Sequence, residues 1–197
     1  MKYNPEIHHR KSIRPKEYDY SQAGHYFVTI CTHNREHLFG EIADGVIKLN
    51  KYGKIVKEEL LRTEEIRQNI KIDYFVIMPN HIHLILIIKE QYLNYNDVVG
   101  VHCNEPLRQN PYNSNEPFQL QNTEKFGKST KNSLSTIIKL LKSTITKQIN
   151  DIRNSPGLPI WQRNYYEHII RNEKELNEIR KYIHNNPLNW NDDEYNN

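Results

Sequence analysis

Cysteine is scarce in this chain: Cys31 and Cys103 are the only two in 197 residues, and they lie far apart. Such a pair reads as two free thiols rather than a disulfide framework or a zinc knuckle. Long hydrophobic runs are missing as well. The longest apolar stretch, Leu84 to Ile88, stops at Lys89, far short of the roughly 20 apolar residues a membrane-crossing helix needs. The first residues, Met1 to Arg14, hold no apolar core of a secretory signal, so a cytoplasmic protein without a membrane partner is expected. A large net charge is also lacking. At +3 the total is too small to imply a polyanionic partner. What remains, 37% hydrophobic and 26% charged residues, fits one domain with a real core and room for an insertion.

Acid is absent from two segments in particular. Arg10, Lys11, Arg14 and Lys16 stand together without an Asp or Glu between them, and six lysines occupy Lys125 to Asn150, again without an acid. The acids gather instead at Glu58 to Glu65 and at Glu173 to Glu178. Segregation of this kind favours a nucleic acid facing the basic segments, although a solvated helix face leaves the same pattern. Tyr18 and Tyr20 lie near the first cluster, where rings could stack on bases while phosphates are neutralised. Residues 1–24 otherwise read as an irregular basic arm, and a loose terminus is the plainer alternative.

Periodicity then sets out the elements. His25 to His33 is a β-branched and aromatic strand, with Phe27, Thr29 and Cys31 on one face and Tyr26, Val28 and Ile30 on the other. Asp44-Gly45 marks a short hairpin or loop. Asn50 caps a helix over about Lys51 to Arg67, its apolar side marked by Ile55, Leu60 and Ile66. Ile70 to Met78 is a strand with Ile72, Tyr74, Val76 and Met78 on one face. The Pro79-Asn80 turn joins it to the strand His81 to Ile88, which places the histidines at an edge of the sheet. Residues of about 90–130, dense in Asn, Gln, Pro and Ser, read as an insertion. Leu134, Ile138, Leu141, Ile145 and Ile149 define a helix over about Asn132 to Arg153, flanked by Lys131, Lys139 and Lys142 as candidate phosphate contacts. Pro159 to Ile170 is extended, and Asn172 caps a last helix from Glu173 to Asn185 that Pro187 ends. The order β, α, β, β, α, β, α predicts an α+β, ferredoxin-like βαββαβ antiparallel sheet, with helices on one face and an added C-terminal helix.

Two features carry chemistry. His81 and His83 alternate on a strand and so point the same way, as a pair of imidazoles that hold one divalent ion would. Two hydrogen-bonded structural histidines satisfy the same spacing. On the last helix Tyr182 and Asn186 are four residues apart and share a face, above the apolar side made by Leu176, Ile179 and Ile183. Docked across the sheet, that helix could bring a tyrosine hydroxyl and an amide oxygen to the histidines. An oxygen ligand suits magnesium or manganese better than an all-histidine zinc site. For a lone helical tyrosine, a packed ring with its hydroxyl in water is the plainer reading.

Met78-Pro79-Asn80-His81-Ile82-His83, Trp161-Gln162-Arg163-Asn164-Tyr165-Tyr166-Glu167-His168-Ile169-Ile170-Arg171-Asn172 and Tyr182-Ile183-His184-Asn185-Asn186-Pro187 follow one another in this order. Together they resemble the REP-associated tyrosine transposases, relatives of the single-tyrosine HUH transposases, over about Tyr18 to Trp190 apart from the insertion. The resemblance implies a basic arm (1–24), a transposase domain (25–190) and a short tail (191–197). It implies His81 and His83 as metal ligands with Asn186 as the third, Mg2+ or Mn2+ as the ion, and Tyr182 as the nucleophile. Single-stranded DNA carrying a hairpin becomes the expected substrate, cleaved and rejoined through a 5′-phosphotyrosine. Arg10, Lys11, Arg14 and Lys16 match the part that reads a guide sequence, and the dimeric habit of insertion-sequence relatives admits a homodimer. Tyr165 and Tyr166 are rival nucleophiles, of which a strand would turn only one toward the site. His168 and His184 read as structural, Trp161 as an anchor. A hairpin-binding protein without turnover is the alternative function, and a hydrolytic phosphodiesterase a third.

Overall fold

The computed structural model describes residues 19–90 and 132–196. Four strands form one antiparallel sheet: β1 (Gly24–Cys31), β4 (Ile70–Ile77), β5 (His81–Ile88) and β6 (Tyr166–Ile170), in the spatial order β4-β5-β1-β6. Between β1 and β4 the chain makes a hairpin of β2 (Gly40–Ala43) and β3 (Val46–Leu49), then helix α1 (Lys51–Ile66). Helix α2 (Leu134–Ile152) precedes β6, and α3 (Glu173–Asn185) follows it. The fold is α+β, as expected.

Each helix starts where a side chain can satisfy its free amides. Asn50 accepts from the amides of Tyr52 and Gly53, and Asn172 accepts from Glu175. For α2 the cap is Ser133. Asn132, expected inside that helix, takes a left-handed backbone (φ 63°), which ends any helix at once. Ile66 was expected on the packed side of α1 but sits exposed in its last turn; the buried face is Ile55, Val56, Glu59, Leu60 and Thr63.

The sheet separates two apolar layers. On one side Tyr26, Val28, Ile30, Ile82, Leu84, Leu86 and Ile88 pack beneath α1 and α2, with Ile137, Ile138, Leu141, Ile145 and Ile149 facing them. On the other a smaller cluster of Ile85, Ile170, Leu176 and Ile183, with Phe27, Tyr74, Val76 and Ile179 at its margin, seats α3. The helices thus occupy both faces rather than one, because the expected apolar side of α3 meets residues of opposite strand parity from those under α1 and α2. Tyr20 belongs to the first layer at 3% exposure, and its carbonyl accepts from the Leu134 amide. It is core, and not a base-stacking ring.

Strict alternation fails once, in β4. Ile72 pairs with Leu86 but Tyr74 pairs with Ile85, so Asp73 is an extra residue in a bulge. Ile70 and Ile72 therefore face the larger layer, while Tyr74 and Val76 face α3 and Phe75 and Ile77 return to the larger layer. The single face expected for Ile72 and Tyr74 does not exist, because one inserted residue inverts the phase. The bulge docks α3. Asp73 receives two bonds from Arg180, at 2.7 and 2.8 Å, and the Tyr74 hydroxyl lies 2.9 Å from Nδ1 of His184. That paired guanidinium holds the Asp73 carboxyl below its ordinary pKa, against the pull of burial.

Gly53, in the first turn of α1, lies against the β2–β3 hairpin, where an added Cβ would collide with the Phe39 carbonyl oxygen and crowd Leu49. Alanine normally improves on glycine in a helix by about 1 kcal/mol. Here Gly53→Ala should lower stability by about 1–3 kcal/mol, as overpacking does. Urea unfolding reads the difference, and a raised midpoint would show that the hairpin yields.

Candidate active site

His81 and His83 are the first and third residues of β5, opposite Cys31 and Thr29 of β1. β5 is an interior strand, so the pair sits at a strand end but not on a sheet edge. They are 0% and 1% exposed. Their Nε2 atoms lie 3.0 Å apart.

The outer nitrogens are held in place. His81 Nδ1 is 2.8 Å from Asn80 Oδ1, and His83 Nδ1 is 2.8 Å from Thr29 Oγ1. Asn80 is itself oriented, because its Nδ2 donates to the carbonyls of Tyr195 (2.6 Å) and Arg35 (3.3 Å). An amide oxygen can only accept, so the His81 proton resides on Nδ1 and Nε2 presents a bare lone pair. With that lone pair 3.0 Å away, the bond between the rings takes its proton from His83 Nε2, and Thr29, which can donate or accept, donates to His83 Nδ1. Holding Nδ1 and freeing Nε2 is how neighbours prepare an imidazole as a metal ligand. Burial pushes the pKa of His81 down to about 3 and that of His83 down as well, the latter assisted by its neighbour. Both rings are neutral at physiological pH.

Helix α3 brings the expected partners. The Tyr182 hydroxyl lies 3.2 Å from His83 Nε2, and its ring meets Phe27 edge-on. Tyr182 is 44% exposed, so its outer side is open to solvent. Burial of its inner side, with the charges of Asp193 and Glu194, pushes the phenol up to about 12. Asn186, the C-cap of α3, stands beside His81 and Tyr182. Its Nδ2 donates to Asp193 Oδ2 at 3.0 Å, and its Oδ1 is buried without a hydrogen-bond partner. An orphaned oxygen beside two neutral imidazoles is a donor set that fits a hard divalent ion.

Sequence reasoning missed the residues that close this site. Trp190, the last residue of the expected domain, and residues of the stretch read as a tail (191–197) lie across the histidines. Trp190 starts a single 3-10 turn, and its ring lies against His81 and His37. Tyr195 follows, its ring centroid 4.7 Å from that of His81. Arg35 donates to the Glu194 carbonyl at 2.6 Å and stands over the Tyr195 ring. Between them, Asp193 places a carboxylate oxygen within 4.8 Å of a nitrogen of each histidine. The available signal was an acidic run beside an aromatic residue, seven positions after Asn186.

The remaining candidates divide. Tyr166 faces α3, beside Phe27 and Tyr182, in an open groove of about 410 Å3. Tyr165 packs against the larger core. His168 is satisfied by Glu175 at 2.6 Å, and the Trp161 indole donates to the Lys142 carbonyl. Lys139 and Lys142 line a second groove, of about 600 Å3, with Lys147 and Arg163. The Lys142 ammonium donates to the carbonyls of Gln162, Arg163 and Asn164, and burial lowers its pKa to about 8. Arg10, Lys11, Arg14, Lys16 and Lys131 lie outside the described residues, as does the expected insertion of about 90–130 from residue 91 onward. Among the described residues no helix is long and apolar enough to cross a membrane.

No family model matches the chain. It is 42% identical over 193 residues to an uncharacterized protein of Haemophilus influenzae, spanning 98% of this chain and 96% of that protein. Among solved structures it is similar to a REP-associated tyrosine transposase bound to a REP hairpin, with a TM-score of 0.52 and 18% identity. That match covers 91% of this chain and 74% of the other. The likeness is one of fold.

Buried neutral histidines make stability depend on pH. The unfolded His81 takes up a proton below about pH 6.5, whereas the folded ring resists protonation to about pH 3. Stability is therefore complete above pH 6.5 and lost as pH falls toward 3, by ~2 kcal/mol at pH 5 from this ring. His83 acts in the same direction. Melting temperature should fall from pH 7 to pH 5, and fall less in His81→Asn. Equal slopes in the two proteins would contradict the neutral, buried state.

Proposed function

The chain belongs to one family with the uncharacterized Haemophilus influenzae protein, and we propose that it is a metal-dependent, transposase-like strand transferase acting on single-stranded, hairpin-bearing DNA. The observation that carries this reading is the Tyr182 hydroxyl 3.2 Å from a histidine nitrogen that itself faces a second one at 3.0 Å. A nucleophile and a ligand pair from different elements meet at one point. His81, His83 and Asn186 would hold Mg2+ or Mn2+, which would supply Lewis acidity toward a non-bridging oxygen of the scissile phosphate.

The residues perform the rest. Tyr182 Oη attacks phosphorus, the O–P bond to tyrosine forms, and the bond from phosphorus to the 3′ oxygen breaks. The phenol loses its proton, the departing 3′ oxygen gains one, and the 5′ end stays on Tyr182 as a phosphotyrosine. Because that ester keeps the bond energy, another 3′ hydroxyl can reverse the step and rejoin DNA without ATP. Asp193 and Glu194 oppose ionisation of Tyr182, so neutralising them with a cation favours attack.

The groove beside Tyr182, with exposed Tyr166 on its wall, suits a nucleotide flanking the cleaved bond. Lys139, Lys147 and Arg163 offer phosphate contacts along the second groove. Lys142 shapes that wall through its carbonyl bonds, while Arg10, Lys11, Arg14, Lys16 and Lys131 would add charge from flanking segments. A second reading, hairpin binding without cleavage, draws on one observation: both histidines are sealed from solvent.

Labelled hairpin DNA incubated with the protein and Mn2+ should give a covalent band on a denaturing protein gel, lost in Tyr182→Phe. A band that survives the substitution would move the nucleophile to Tyr166, whose hydroxyl alone of the rival pair faces α3. Salt-sensitive binding without any adduct would favour the binding reading.

A further inference from the structure

We propose that Asp193 is itself a protein ligand of the divalent ion, so that the C-terminal segment forms a wall of the metal site. This rests on the reading of His81, His83 and Asn186 as ligands. Position comes first: one carboxylate oxygen lies within 4.8 Å of a nitrogen of each histidine.

The group is also held there. Asp193 Oδ2 accepts from Asn186 Nδ2 at 3.0 Å, and Oδ1 accepts from the Tyr195 amide at 2.7 Å. Each carboxylate oxygen has two lone pairs, so one such bond leaves capacity for a cation. The bond from Asn186 has a further effect. With Nδ2 committed to Asp193, Oδ1 must point the other way, and this is the buried oxygen that has no partner. Among the described residues no lysine or arginine forms an ion pair with Asp193. Two neutral donors, the Asn186 amide and the Tyr195 N–H, are thus the hydrogen-bond partners of this carboxylate beside the two imidazoles.

The segment is fastened on three sides. Arg35 grips the Glu194 carbonyl, Asn80 grips that of Tyr195, and Trp190 lies against His37 and His81. Asn80 is the residue that sets the tautomer of His81, so one amide group ties the tail and the ligand together.

Two nitrogens and two oxygens, one of them anionic, suit Mg2+ or Mn2+. Such ions take six ligands, so four from protein leave positions for a phosphate oxygen. One anionic ligand against a divalent ion leaves a net positive site, which still attracts phosphate. A tetrahedral ion would be closed off by the same four groups.

Calorimetric titration of Mn2+ into the full chain, without DNA, tests the proposal on wild type, Asp193→Asn and Asp193→Ala. Asparagine keeps the shape and one acceptor, enough for Asn186, but removes the charge and the second acceptor that the Tyr195 amide uses. Both variants should bind Mn2+ at least about tenfold more weakly, with the melting temperature of Asp193→Asn in the absence of metal lowered by no more than the few degrees that one lost hydrogen bond costs. Wild-type affinity in Asp193→Asn with a loss only in Asp193→Ala would overturn ligation and make Asp193 a positioning residue for Asn186. Undiminished affinity in both would make the segment a plug over the site. Absence of Mn2+ binding in the wild type would remove the metal itself, and with it the larger reading; the other two failures leave that reading standing.

Discussion

Two imidazoles buried on an interior strand must remain neutral, and much of this molecule is arranged around that requirement. An unsatisfied polar group in such a place costs a few kcal/mol, and a charged one more. The structure meets the demand from several directions. Thr29 comes from the neighbouring strand and Asn80 from the turn. Asn80 is oriented by carbonyls from Arg35 and Tyr195. The state of one proton on His81 therefore depends on segments more than 100 residues apart in the chain.

Docking of α3 is the second requirement, and a local irregularity in β4 meets it. The bulge at Asp73 turns Tyr74 and Val76 toward α3 while returning Phe75 and Ile77 to the larger core. It also exposes a carboxylate that receives Arg180 in a two-pronged pair. Such pairs fix geometry as well as adding energy. Tyr182 is two residues further along the helix, so its approach to His83 is set partly by an extra residue on a different strand.

Most of the fold was legible because it rests on short-range signals. The caps at Asn50 and Asn172, the stripe from Leu134 to Ile149 and the alternation in β1 need only a few neighbouring residues to recognise. The heart of the site was legible for the same reason: i, i+2 spacing on a strand and i, i+4 spacing on a helix decide which side chains share a face. The bulge at Asp73 escaped because an inserted residue inverts alternation without changing composition. The helix expected from Asn132 begins after the cap Ser133, because Asn132 takes a left-handed backbone that no pattern announced. The closing segment escaped altogether. Trp190, Asp193 and Tyr195 acquire their roles only through contacts with Arg35, Asn80 and His81, and long-range partnerships leave no periodic trace.

The two apolar layers are very unequal, and that inequality governs how the molecule opens. The layer under α1 and α2 draws on nearly every strand and both helices, whereas α3 sets its own Leu176 and Ile183 on just two well-buried sheet residues, Ile85 and Ile170, and a partly covered margin. Native proteins open in cooperative pieces, and pieces with little buried surface open at the lowest free energy. Helix α3 is such a piece, latched to β4 by Asp73 and Arg180 and tethered at its far end by the segment that Arg35 and Asn80 hold. The sheet with its other two helices can stay intact beneath it. The histidines on β5 therefore belong to the deeply packed body of the molecule and Tyr182 to its more lightly seated helix, so the 3.2 Å approach of the hydroxyl to His83 is only as firm as the smaller layer.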